Sequence, residues 1–186
     1  MFLLYRGGYQ ERSKALATLI PEGASVVDLC CGPASLYFDH LQFKRVAYTG
    51  LDINTRFVES ASSRGARAMV WDVSADTPLP KADYLVMQAS LYHFLPDPRP
   101  VVDRMLEAAE KNVLLAEPVR NLADSSNPAL AWVARKLTNP GTGDQPRRFD
   151  RKLFDEFLAP YRAAGRLVDS YPIAAGREQL CVLCVG

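Results

Sequence analysis

The sequence predicts an α/β protein: a single three-layer, doubly wound domain built on a mostly parallel sheet. Three observations carry this. First, short apolar and β-branched runs alternate with helix-period segments between residues 25 and 117, the pattern of β-α units. Second, the first such run, Val26-Val27-Asp28-Leu29-Cys30, passes directly into a turn of small residues, Cys31-Gly32-Pro33-Ala34. A strand-to-helix turn of that kind lets a ligand approach main-chain N–H groups at a helix start. Third, 186 residues with 48% hydrophobic and 23% charged side chains suit one globular domain with a sizeable core and exclude a disordered or fibrous chain. The 22 Lys and Arg against 21 Asp and Glu leave +1, which supplies no long-range attraction for nucleic acid or an anionic membrane.

The elements follow in order. Residues 9–20 read as an amphipathic helix with Ala15, Leu16, Leu19 and Ile20 on one face, stopped by Pro21 and Gly23. A strand is expected at 25–30, a helix at 35–41 and a second strand at 46–53. Asn54 is placed to cap a helix that Gly65 ends. Strands at 67–72 and 83–88 follow, then a helix opened by Pro100 and reaching Lys111, and a buried strand at 112–117. From 118 to 160 five prolines surround helix candidates at 128–137 and 151–158, so this stretch reads as an insert or substrate lid within the one domain spanning 1–186. Runs at 166–173 and 178–185 are close enough in sequence to pair antiparallel, giving seven strands.

The four cysteines stand as Cys30-Cys31 and as Cys181 and Cys184. Adjacent cysteines cannot complete a zinc ribbon, so buried thiols and no metal are expected. The N-terminus loses its apolar character too early for a signal peptide, and no run approaches a membrane span. The expectation is a cytoplasmic protein.

The strand ends carry the chemistry. The first-strand motif keeps an acid and a central glycine, Asp28 and Gly32, with Cys30, Pro33 and Ala34 around them. The second strand ends in Asp52-Ile53, where a carboxylate can accept from both hydroxyls of a ribose. The third ends in Asp72-Val73, and the fourth, closing on Gln88, continues Ala89-Ser90-Leu91-Tyr92-His93-Phe94. In this order and spacing the motifs resemble those of the class I, seven-stranded, Rossmann-like S-adenosylmethionine (SAM)-dependent methyltransferases of small-molecule type. The first-strand glycines of that family are replaced here by Cys30 and Ala34, and the turn it carries before the fifth strand is missing at Ala109-Glu110-Lys111. An NAD site shares the first two motifs, but G-x-G-x-x-G is absent.

The resemblance implies strand order 3-2-1-4-5-7-6 with an antiparallel last strand. It implies SAM as cofactor, S-adenosylhomocysteine as product, and a small-molecule methyl acceptor. Asp28, Cys30, Gly32, Pro33, Asp52, Ile53, Asp72, Val73 and Gln88 would line the cofactor site, with Asp52 on the ribose and Asp72 on the adenine amino group. In such enzymes the N-terminal segment folds over the methionine end, so Arg6 or Tyr9, flanking a Gly7-Gly8 hinge, would hold its carboxylate. His93 is the candidate general base, its ordinary pKa being near neutral, with Tyr92 beside it. Glu117 is a candidate for orienting the acceptor. Arg147 and Arg148 belong to a cluster with Arg135, Lys136, Arg151 and Lys152 that outweighs Asp144 and Asp150 by +4. They suit an anionic or lipid-like acceptor. Two other functions remain open at this point: a nucleic-acid or protein methyltransferase, and a SAM-binding subunit that activates a partner without its own turnover. Oligomeric state is open as well.

Overall fold

The computed structural model describes residues 2–119 and 148–186, with residues 2–9 described by their backbone only. Seven strands form one sheet in the order β3-β2-β1-β4-β5-β7-β6. They are β1 Ser25–Leu29, β2 Ala47–Asp52, β3 Ala68–Val70, β4 Ala82–Gln88, β5 Ala109–Pro118, β6 Leu167–Ile173 and β7 Glu178–Cys184. β3, β2, β1, β4 and β5 run parallel, and β7 pairs antiparallel with both β5 and β6. The helices are α1 Phe2–Leu19, α2 Thr55–Ser63, α3 Arg99–Ala108 and α4 Arg151–Ala163.

The central strands are apolar on both sides because both sides are covered. Val27, Leu29, Leu85, Met87, Val113, Leu115, Cys181 and Leu183 face a core completed by Val102, Met105 and Leu106 of α3 and by Phe154, Phe157 and Leu158 of α4. Their alternating neighbours Val26, Tyr84, Val86, Leu114, Ala116, Leu180 and Val182 face Leu16 and Ala17 of α1, Ile20 just after it, and Ala61 of α2. Asn54 caps α2 as expected, accepting from the Arg56 N–H at 3.0 Å, and the structure adds a cap on α4, where Asp150 accepts from the Leu153 N–H at 2.8 Å.

Several boundaries differ from expectation. α1 begins at Phe2 and runs through Gly7 and Gly8, so the glycine pair is not a hinge ahead of the helix; propensity is a weak prior that a long helix overrides. The helix after β1 is real, but all of it past its first two residues, Tyr37–Leu41, is π-helical. α3 stops at Ala108 and β5 starts at once, three residues before the expected strand. The extension is held by pairing of Ala109 with Ala82 and by Lys111 Nζ on Asp83 at 2.8 Å. α4 continues past Pro160 to Ala163. A mid-helix proline costs roughly 3 kcal/mol, offset here by burial of Tyr161, whose hydroxyl also donates to Asp103 at 2.8 Å. The helix expected at 128–137 lies outside the described residues, as does most of the 118–160 insert.

All four cysteines are free, and β4 and β5 stand between the strands that carry the two pairs. Among the described residues no helix is long and apolar enough to cross a membrane, and no cluster of His, Cys, Asp and Glu is arranged to hold a metal.

Candidate functional site

Parallel β1 and β4 are neighbours whose following helices leave on opposite faces, so a crevice opens at their carboxyl ends; ligands bind there in sheets of this kind. After β1 the chain turns through Cys30, Gly32 and Ala34, all in the left-handed region at φ 54°, 55° and 55°. The family's flanking glycines are absent, yet Cys30 and Ala34 adopt the conformation those glycines would favour, at about 1–2 kcal/mol each. A Cβ built on Gly32 would meet nothing within 4 Å, so the space above this turn is open.

Asp52, only 8% exposed, ends β2 beside the turn. One carboxylate oxygen accepts from the Gly32 N–H and the other from the Asn54 N–H, both at 2.8 Å. Each oxygen keeps one lone-pair direction, enough for two further donors such as a ribose diol. Ile53 next to it is two-thirds exposed, an apolar surface at the crevice edge. Asp28, at the end of β1, is fully buried. One of its oxygens accepts from the Tyr48 hydroxyl at 3.0 Å, and the other has no partner. Burial, opposed in part by the Tyr48 bond, raises its pKa to about 7. Burial followed by the nearby Asp52, Asp28 and Glu117 carboxylates likewise raises the Cys30 thiol to about 12, so it is no nucleophile near neutral pH.

Tyr48 and Gly50 belong to this arrangement and sequence reasoning missed them. A Cβ at Gly50 would stand 2.7 Å from Cys31 Sγ and 3.1 Å from the Tyr48 hydroxyl. The glycine makes the room that the thiol and the phenol occupy beneath the turn. The signal was present as Tyr-x-Gly on one face of a strand.

On the other side of the crevice, Ala89 turns left-handed at φ 47° and a 3-10 turn, Leu91–Phe94, carries Tyr92 and His93. The two rings lie 4.1 Å apart between centroids, and the Arg148 guanidinium sits 4.5 Å over the Tyr92 ring. Partial burial, then the Arg148 charge, lowers the His93 pKa, which favours the neutral imidazole with a lone pair to offer. Arg148 is thus brought to the candidate base. A groove of about 170 Å³ lies alongside, lined by residues 95–99 and by Phe149, Leu153 and Phe157; Asp28, Gly32 and Asp52 do not line it.

The remaining candidates are placed as follows. Gln88 is buried on the α1 side, 3.4 Å from the Ser13 hydroxyl. Asp72 is exposed and accepts from the Ser74 N–H at 2.8 Å, while Val73 is buried in the α3/α4 core. Pro33 is exposed. Arg6 and Tyr9 lie in α1, and Arg147 lies outside the described residues. Glu117 is fully buried beneath the loop after β4, accepting from the Ser90 and Leu91 N–H groups at 2.7 Å each. Next to it a buried ion pair that the sequence did not reveal joins Arg12 of α1 to Glu178 of β7 through bonds of 2.6 and 2.9 Å.

Comparisons with known proteins agree with the architecture. Magnesium protoporphyrin IX methyltransferase (ChlM) from Synechocystis, with bound SAH, superposes at TM-score 0.71 and 14% identity, covering 97% of this chain and 85% of that one. The methyltransferase in complex with the Haloferax volcanii Trm112 activator gives 0.72 and 15%, covering 97% and 91%. A TehB-like SAM-dependent methyltransferase from Corynebacterium glutamicum gives 0.63 and 16%, covering 92% and 85%. The fold is that of the class I SAM-dependent methyltransferases. No curated protein matches the sequence. The family model of methionine biosynthesis protein MetW matches residues 10–119, from within α1 to the end of β5. The chain belongs to the MetW family.

Proposed function

We propose that this protein is a SAM-dependent methyltransferase acting on a small-molecule acceptor. The observation that carries the reading is Asp52, whose carboxylate stands at the end of β2 beside the open Gly32 turn with two lone-pair directions unused. SAM supplies an electrophilic methyl group on a sulfonium, together with an adenosine and an amino-acid end. Asp52 would accept from the ribose hydroxyls, Ile53 would flank the adenine, Asp72 would accept from its amino group, and Val73, its side chain buried in the core, would offer only a main-chain contact to the ring. The Asp52 carboxylate, joined by Asp28 and Glu117 as they ionise near pH 7, gives the crevice a negative field that favours a sulfonium and an ammonium. Arg6 or Tyr9 would hold the carboxylate of the methionine end.

On the acceptor side, neutral His93 takes the proton that a hydroxyl or amine nucleophile loses. Tyr92 and Arg148 keep the imidazole in place, and the guanidinium, with Arg147, suits an anionic acceptor. The chemistry asked of the protein is positioning and one proton transfer. The family description, methionine biosynthesis, supports a small acceptor over a macromolecule. A second reading, a SAM-binding subunit that works only with a partner, is favoured by one observation: a similar structure is held in complex with a methyltransferase activator.

Turnover of labelled SAM with pools of small acceptors, by wild type and His93→Gln, tests the proposal. Loss of turnover by a factor of ~100 with unchanged SAM affinity supports it. SAM binding without turnover on any pool would favour the second reading.

A further inference from the structure

We propose that Glu117 is a positioning residue, whose carboxylate grips the Ser90 and Leu91 N–H groups and thereby fixes where the His93 imidazole stands. The face pattern of β5 calls for an apolar side chain at this position, since Val113 and Leu115 on the same face are fully buried in the α3/α4 core. Instead a carboxylate is fully buried there, a costly placement unless it is well bonded. A single oxygen takes both N–H groups at 2.7 Å, in charge-assisted bonds.

The connection from there to the imidazole is short and continuous. The Ala89 N–H already donates to the Ala116 carbonyl at 2.8 Å, and the His93 N–H donates to the Ser90 carbonyl at 3.1 Å. Ser90 is therefore held from one side by Glu117 while it holds His93 from the other. Glu117 touches no reacting atom in this scheme; it acts through the loop. The second oxygen of Glu117 is without a partner. Around the carboxylate stand Arg12 from α1, Glu178 from β7 and Cys30 after β1; burial raises its pKa to about 7 against the Leu91 and Ser90 N–H bonds and Arg12, which lower it, with Glu178 adding to the rise.

The inference rests on the proposed function only in giving His93 a catalytic purpose, so its test reads the imidazole directly. The chain has two histidines, and His93→Gln assigns the His93 resonance in cofactor-free protein. In Glu117→Leu the His93 pKa is expected to rise toward its ordinary value as the loop leaves Arg148 and its partial shelter. Turnover should fall about tenfold or more with SAM affinity unchanged. Glu117→Gln keeps an oxygen for both N–H groups and should leave the His93 titration where it is. A Glu117→Leu protein of lower melting temperature but unmoved His93 titration would overturn the proposal. Should Glu117→Leu fail to fold, the wild-type amide protons of Ser90 and Leu91 give the answer. They should shift together with a midpoint near 7, and stay flat in Glu117→Gln; flat amides in the wild type would overturn the proposal equally. If instead His93→Gln keeps full turnover while these titrations behave as expected, the base assignment fails and the role of Glu117 stands.

Discussion

Two buried carboxylates should make this protein less stable as the pH rises from 5.5 to 7, the reverse of the usual trend for acids. Asp28 and Glu117 are both fully buried, each with one oxygen lacking a partner, and burial raises both to about 7. In the unfolded chain such groups ionise near 4. Between those values the folded state keeps protons that the unfolded state has released. Their contribution is therefore fully present below pH ~4 and lost as the pH rises through 7. The limiting slope is about 1.4 kcal/mol per pH unit for each group, so the two together lose at most about 4 kcal/mol between pH 5.5 and 7. Relaxation and water entry reduce that figure. His93, lowered from its ordinary value, works in the opposite direction near pH 6.5 and is removed by a His93→Gln background. Asp83 is lowered to about 2 by Lys111 and Ser25, so its stabilisation is lost only below pH 4, outside the window. Urea unfolding at pH 5.5 and 7 measures the difference, and in Asp28→Asn/Glu117→Gln it should shrink to near zero. Stability that rises with pH in the His93→Gln background, or a fall that persists in the variant, would refute the burial argument.

Other expectations concern the crevice. Asp52→Asn keeps the size of the side chain and one carbonyl acceptor, and should weaken SAM binding by about 1.5–3 kcal/mol, the scale of hydrogen bonds to a charged group; unchanged affinity in a titration would remove Asp52 from the ribose. Gly50→Ala places a methyl 2.7 Å from Cys31 Sγ and should destabilise by about 1–3 kcal/mol. Cys31→Ala in the same chain should restore part of that loss, as a denaturation cycle would show. Arg12→Ala strands Glu178 as a buried charge and should cost about 3–5 kcal/mol, measured in the same way.

The sheet was legible because its central strands are covered on both faces and so read as unbroken apolar runs, and because Asn54 announces a helix start in its own right. Boundaries set by tertiary contacts were not. The Ala82–Ala109 pairing that lengthens β5 and the Tyr161–Asp103 bond that carries α4 past Pro160 join residues far apart in sequence. The acids at the crevice edge were readable because they sit at strand ends, at fixed distances from glycine. The polar layer behind it was not. Glu117 looked like a substrate contact until the fold placed it under the loop of Ser90 and Leu91, and Arg12 is one charge among several on a helix until β7 brings Glu178 against it.

The most direct measurement is a calorimetric titration of the protein with SAM and with NAD, on wild type and on Asp52→Asn. SAM should bind the wild type and lose affinity in Asp52→Asn, with no heat from NAD. Binding of NAD in place of SAM, or SAM binding that ignores the loss of the Asp52 carboxylate, would contradict the site built here from Asp52 and the Gly32 turn.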